Sequence, residues 1–290
     1  MTIAHNDQGR KLTIAHKDRE CRLTFAHKVR IDSGALESSY GQGDEPPPLT
    51  EEHIRRIYGS GADDYDRVMD NVYPNMVDRD RIIEVLAPER GDRILEVGVG
   101  TGKSLKHYPA GIHLQGTDLT PEMLALAEQK RESFKGASLN LELANTESLP
   151  FESASFDRIL ACLTICVTPN PKAALTELMR LAKPDARVVF YELHVSPDAS
   201  TAGMQRAMVR GPAMTIGHPP PSEQLPGGVI VWDPCRNLLQ LAADLGFIQE
   251  SVEWYEPRHP VLARCLVSLR KPAGARGGAE PTAATLEDSP

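Results

Sequence analysis

Between residues 93 and 270 short apolar runs alternate with helical stretches, and this alternation restricts the fold more than any other feature of the chain. The runs RILEVGV, HLQGTDL, LNLELAN, FDRILACL, ARVVFYELHV and RCLVSLRK read as strands, and PEMLALAEQKRESF, NPKAALTELMRLA and RNLLQLAADLG read as helices. Strands joined through helices pair in parallel, because a parallel pair needs a long crossover. The expectation is an α/β sheet covered by helices, with ligands at the carboxyl ends of the strands.

The flanks read differently. Residues 1–32 repeat an eleven-residue unit, TIAHNDQGRKL, TIAHKDRECRL and TFAHKVRIDSG, each with too few apolar side chains to build a stacked solenoid. One reading is a basic amphipathic arm touching a membrane surface or partner; the other is a duplicated disordered extension. His5, His16 and His27 recur with the unit, so no metal site is expected there. Residues 33–50 are a Gly/Ser/Pro linker, and residues 272–290 have little to bury and read as a disordered tail. The domain boundaries expected are therefore 1–50, 51–271 and 272–290, with N-terminal lid helices in 51–90 and a substrate cap in 196–232.

Charge narrows the partners. The chain carries a net −8, with the first 32 residues at +3 and the rest at −11, which excludes a general nucleic-acid footprint on the body. At most a peripheral membrane contact is expected. Five cysteines without CxxC spacing read as reduced thiols, and neither an export signal nor a spanning segment is evident, so a cytoplasmic protein is expected.

The chemistry begins at ILEVGVGTGKS. A P-loop needs glycine at position 97, where Val97 stands, and a dinucleotide fingerprint needs one at 103, where Lys103 stands. What remains is an acidic residue, Glu96, followed by Gly98, Gly100 and Gly102. Glycines let the chain turn sharply and let a ligand lie on bare backbone. Glu96 repels a pyrophosphate and attracts a cation, so the loop suits a nucleoside with a positively charged amino-acid arm.

With TDLTPEMLALAEQK, ANTESLPF and the LTICVTPNP segment, this loop resembles the class I S-adenosylmethionine-dependent methyltransferases over residues 65–270. The resemblance implies a Rossmann-like doubly wound sheet, mostly parallel with an antiparallel last strand, with helices on both faces and an N-terminal helical lid. It implies S-adenosyl-L-methionine as cofactor and no metal. Glu96, Gly98, Gly100, Thr101 and Gly102 would meet the amino-acid arm. Asp118, twenty residues after Gly98, would hold the ribose hydroxyls, with Leu119 beside it. Asn145 replaces the family's usual aspartate near the adenine, flanked by Thr146 and Glu147, while a turn-capping role for Asn145 stays open. Leu163 would lie near the methionine arm. Asp185-Ala186 replaces the family's usual glycine pair at a turn away from the site. Lys103 and Ser104 are expected in the first turn of a following helix.

Within the superfamily the motifs look most like the branch of soluble bacterial phosphatidylethanolamine N-methyltransferases, thiol methyltransferases and ubiquinone C-methyltransferases. That branch has Glu-His at the end of the fifth strand; here Glu192 and His194 are two apart, which strand alternation would turn to one side as a joint catalytic site. Tyr65 would close over the cofactor and reach the reacting centre. Tyr58, Tyr73, Met208, His218 and Trp232 are the candidate acceptor contacts, and Asp63, Asp64 and Asp66 could pair with an amine or form a solvated face. The acceptor expected is a small molecule or aminolipid head group methylated on nitrogen, with a thiol, phenol or quinone as alternatives. A cofactor-binding protein without transferase activity is the alternative of another class.

Overall fold

The structure, a computed structural model, describes residues 50–72, 77–209, 236–255 and 263–274. Three short helices come first: α1 (Glu51–Ser60), α2 (Ala62–Val72) and α3 (Arg79–Leu86). Their starts follow from side-chain caps. Thr50 accepts from the His53 amide while the His53 ring accepts from the Thr50 amide, and Asp78 accepts from the Arg81 amide. Each such cap satisfies a backbone donor that the helix leaves unpaired.

The sheet contains β1 (Arg93–Val97), β2 (His113–Asp118), β3 (Ser138–Leu143), β4 (Phe156–Cys162), β5 (Ala182–Leu193), β6 (Ile248–Tyr255) and β7 (Arg264–Arg270), in the order β3-β2-β1-β4-β5-β7-β6. The pairs among β1 to β5 are parallel, and β7 runs antiparallel between β5 and β6. This is the expected Rossmann-like doubly wound sheet with an antiparallel last strand. From β1 the chain winds outward to β3 and then returns to β4, so the order reverses between β1 and β4. Such a switch point opens a crevice at the carboxyl ends of the strands.

Alternation along the strands supplies two cores. Leu95, Val97, Ile159 and Phe190 pack against α5 (Pro171–Leu181) and α7 (Leu238–Asp244) through Leu175, Leu178 and Leu238. Ile94, Leu114, Leu160 and Val189 pack on the other face against Ile82, Ile83 and Leu86 of α3. Each large aliphatic side chain buried in these layers contributes roughly 1.5–3 kcal/mol relative to exposure. Helix α4 (Pro121–Gln129) begins with proline at its first turn, and α6 (Ala199–Val209) opens the segment expected to form the cap.

Three local expectations are corrected. Strand β6 was not among the expected strands; as an edge strand it is mostly exposed and presents no apolar run. Lys103 and Ser104 do not start a regular helix but lead into a single 3-10 turn, Leu105–His107, because Gly102 at φ 76° turns the chain away from helical geometry. The helix expected through Phe134 ends at Gln129, followed by a 3-10 turn at Arg131–Ser133. The turn with Asp185 does keep the conformation that glycine favours: Asp185 sits at φ 61° and its carboxylate accepts from Arg270 at 2.9 Å.

The repeat arm, the tail beyond residue 274 and most of the cap lie outside the described residues, as do Tyr73, His218, Trp232 and the side chain of Met208. Among the described residues no helix is long and apolar enough to cross a membrane, and no group of His, Cys, Asp and Glu could hold a metal ion.

Candidate functional site

The crevice at the switch point holds two adjoining cavities that share the wall formed by Tyr65, Gly98, Gly100, Cys162 and Leu163. One, of about 660 Å³, runs past Ile54, Tyr58, Asp118, Leu119, Asn145 and Thr146. The other, of about 820 Å³ and open to solvent, runs past Arg79, Glu96, Thr101, Lys103 and Ser104. The expected residues Tyr58, Tyr65, Glu96, Gly98, Gly100, Thr101, Asp118, Leu119, Asn145, Thr146 and Leu163 therefore meet in one cleft. Tyr58, expected beside the acceptor, stands on the Asp118 side, its ring 6.1 Å from that of Tyr65.

The glycines do different work. Gly98, at φ 66°, lies so close to the loop after β4 that a Cβ would fall 2.1 Å from Thr164 Oγ1. Gly100, at φ 56°, has nothing nearer to its missing Cβ than its neighbour's carbonyl at 3.9 Å, so bare backbone faces the cleft. Gly102 is a correction: it lines neither cavity, and its missing Cβ makes room for Ala127 and Leu105 at 2.9 Å. It lets the loop pack on α4 and is not a ligand contact.

Asp118, at the end of β2, accepts from the Gly100 amide through one oxygen and from the Thr120 amide through the other, each at 2.9 Å. The Thr120 side chain and the Leu119 amide also bond to it, so a ribose diol would share the carboxylate with this network. Burial pushes its pKa up against these amide bonds. Glu96 is 2% exposed; Ser104 Oγ lies 2.7 and 2.8 Å from its two oxygens and Tyr108 donates at 2.9 Å. Burial nevertheless raises its pKa to about 7.

Leu163, just past β4, adopts φ 55° and donates its amide to the Tyr191 carbonyl at 2.8 Å. A left-handed leucine costs on the order of 1–3 kcal/mol and marks a site where the backbone is held by its surroundings. Glu192 holds them: its oxygens accept the amides of Thr164, Ile165 and Cys166, each at 3.0 Å.

The expected pairing of Glu192 and His194 as a catalytic site is corrected by this geometry. Glu192 is fully buried, with its carboxylate used by three backbone donors, and it lies on the face of Val188 and Phe190, which packs against α5 and α7. His194 is also buried: its Nδ1 bonds to the Val195 carbonyl at 2.8 Å, its Nε2 accepts from the Leu239 amide at 3.3 Å, and its ring meets Trp254 edge-on. Burial lowers its pKa. Neither side chain lines the cleft.

Asn145 has the turn-capping role and stands at the cleft. It lines the cavity, while its Oδ1 accepts from the Glu147 amide at 2.9 Å and its Nδ2 donates to Glu51 at 3.0 Å. Glu147 is another correction: it accepts the amide of Asn170, the N-cap of α5, at 2.7 Å and does not line the cleft.

Above the glycine loop, Asp66 accepts from Thr101 Oγ1 at 2.7 Å and from Lys130 Nζ at 2.5 Å, and Lys130 also donates to the Thr101 carbonyl at 2.8 Å. Lys103 pairs with Asp70. These contacts tie α2 to the loop, whereas Asp63 is exposed and Asp64 pairs with Arg67. Sequence reasoning misses Arg79 and Thr164 in this cleft: Arg79 sits in no recognisable motif, and Thr164, although within LTICVTPNP, is brought to the cleft by tertiary position. The free cysteines Cys162 and Cys265 have their thiols pushed up to about 12 by burial, which fits wall residues better than nucleophiles.

Residues 95–190 match the family described as Methyltransferase domain. A phosphatidylethanolamine N-methyltransferase of Cereibacter sphaeroides is 32% identical over 122 residues, which cover 42% of this chain and 60% of that protein. The O-methyltransferase rstn1 of Aspergillus nomiae is 34% identical over 113 residues, covering 38% of this chain and 50% of that one. The chain thus spans less than two thirds of the length of these curated relatives. Two solved structures share the fold: the [4+2]-cyclase SpnF (17% identical, TM-score 0.58, covering 80% of this chain and all of that one) and the N-methyltransferase NodS of Bradyrhizobium japonicum WM9 in complex with S-adenosyl-L-homocysteine (13% identical, TM-score 0.54, covering 77% and 98%). Sheet order, glycine loop and family match agree: residues 95–190 are similar to the methyltransferase domain of class I S-adenosylmethionine-dependent enzymes, which implies S-adenosylmethionine as the cofactor of this cleft.

Proposed function

We propose that the protein transfers a methyl group to a small-molecule acceptor and that the acceptor atom is the nitrogen of an amine or aminolipid head group. The observation that carries this reading is the placement of two carboxylates, the buried Glu96 and the half-buried Asp118, along one cleft, both with pKa values raised by desolvation. A desolvated carboxylate is stabilised by a cationic partner.

Bound in the cleft, the cofactor supplies a methyl group on a cationic sulfur that departs as a neutral thioether. Transfer to a neutral amine keeps one positive charge beside Glu96 and Asp118; transfer to a thiolate removes it, and the same carboxylates repel the thiolate on entry. Burial holds the Tyr65 phenol and the Cys162 thiol protonated at neutral pH, so they act as walls. An amine that enters as the free base needs no proton acceptor before transfer, and the residues' task is alignment and exclusion of water.

The phosphatidylethanolamine N-methyltransferase relative points the same way. The rstn1 relative supports a second reading, O-methylation of a phenol or quinol. The test follows S-adenosylhomocysteine release with panels of amines, aminolipid vesicles, thiols and phenols. Turnover confined to amines or aminolipids supports the first reading, and turnover confined to thiols or phenols overturns it. Tight cofactor binding with no methylated product in any panel would indicate a cofactor-binding protein without transferase activity.

A further inference from the structure

The cleft contains an arginine that no described residue pairs or hydrogen-bonds through its side chain. Arg79 opens α3 and lines the larger cavity together with Glu96 and Tyr65. Its positive charge reaches Glu96, Tyr65 and Cys162, lowering the pKa of each against the effect of burial. Neighbouring cations are committed: Arg81 to Glu84 and Glu253, Lys103 to Asp70, Lys130 to Asp66, Arg131 to Glu128. Arg79 makes no ion pair or side-chain hydrogen bond among the described residues. Glu96 feels its charge but does not bond to it, and takes its hydrogen bonds from Ser104 and Tyr108. A partly desolvated guanidinium in this state favours any oxyanion that enters, and its planar fork suits a carboxylate.

We propose that Arg79 receives an oxyanion in the transfer cavity, and that this oxyanion is the α-carboxylate at the end of the cofactor's methionine arm. The inference rests on the cofactor assignment. With the ribose at Asp118, the bare backbone of Gly98 and Gly100 leads from the smaller cavity into the larger, where Glu96 and Arg79 line one wall. An α-amino acid presents one ammonium and one carboxylate, and this pair presents one anion and one cation. The same oxyanion chemistry could come instead from an acidic group on the acceptor.

The two sources are separated by calorimetry without acceptor. S-adenosylhomocysteine carries the amino-acid terminus and 5′-methylthioadenosine lacks it. Arg79→Met is expected to weaken S-adenosylhomocysteine roughly ten- to a hundredfold and to leave methylthioadenosine within about twofold, with Arg79→Lys between. An equal fall for both ligands, or no change for either, overturns the assignment. In the second case, a raised KM confined to acidic acceptors would move the oxyanion to the acceptor. Because Arg79 makes no internal bond, the melting temperature of Arg79→Met should match the wild type, which separates a binding effect from misfolding. Failure of the wild-type protein to bind either ligand would reject the cofactor assignment itself.

Discussion

Asp66 of α2 and Thr101 of the glycine loop are joined by a 2.7 Å hydrogen bond, and Lys130 bridges the two. Burial would raise the Asp66 pKa, but the bonds from Lys130 and Thr101 outweigh it and hold the carboxyl below its ordinary value. The helix is short, and its Tyr65 and Met69 line the cavity. An isolated helix of this length is marginal in water, so these polar ties are what seat it.

Asp66→Asn should therefore release S-adenosylhomocysteine faster, by roughly three- to tenfold for a partly exposed network. Stopped-flow dissociation at low and high salt checks this. The wild-type rate should rise with salt and the variant rate should not.

Asp118→Ala removes the carboxylate expected to receive the ribose hydroxyls and leaves the Gly100 and Thr120 amides without their partner. Hydrogen bonds to a charged group are worth about 1.5–3 kcal/mol each, so cofactor affinity should fall at least a hundredfold. Calorimetry with S-adenosylhomocysteine decides it, and unchanged affinity would remove Asp118 from the site.

The Glu96 pKa of about 7 predicts a pH dependence of binding. A cation binds the ionised carboxylate in preference to the acid, so affinity for S-adenosylmethionine should rise with pH up to about 7 and then level off. Stability runs the other way. Because the folded pKa lies above the ordinary value of 4.5, the folded state holds the proton more tightly. The stability penalty is then absent below the unfolded pKa, grows as pH rises, and is complete above about 7. Glu96→Gln should flatten the binding profile and raise the melting temperature of the ligand-free protein at pH 8 relative to wild type.

Gly98→Ala places a methyl group 2.1 Å from Thr164 Oγ1 at φ 66°. Thermal melting should show a severe loss of stability. Adding Thr164→Ala should recover only the part owed to the clash, since the left-handed backbone still disfavours alanine.

The sheet and the glycine loop were legible in the sequence because both rest on local rules: β-branched runs between helical ones, and glycine where φ must be positive. Asp118 was legible through its spacing from Gly98. Glu192 and His194 were misread because alternation correctly places them on one side without revealing that this side packs on α5 and α7. Strand β6 escaped because an exposed edge carries little apolar pattern, and Asp66 and Arg79 because their roles depend on which elements the fold brings overhead.

Glu96 and Asp118, whose carboxylates line the cleft, make it an electrostatic sorter between the two forms of the cofactor. The spent form has lost its positive charge and is held less firmly than the fresh one, so the cleft should resist inhibition by its own product and favour the forward direction of turnover.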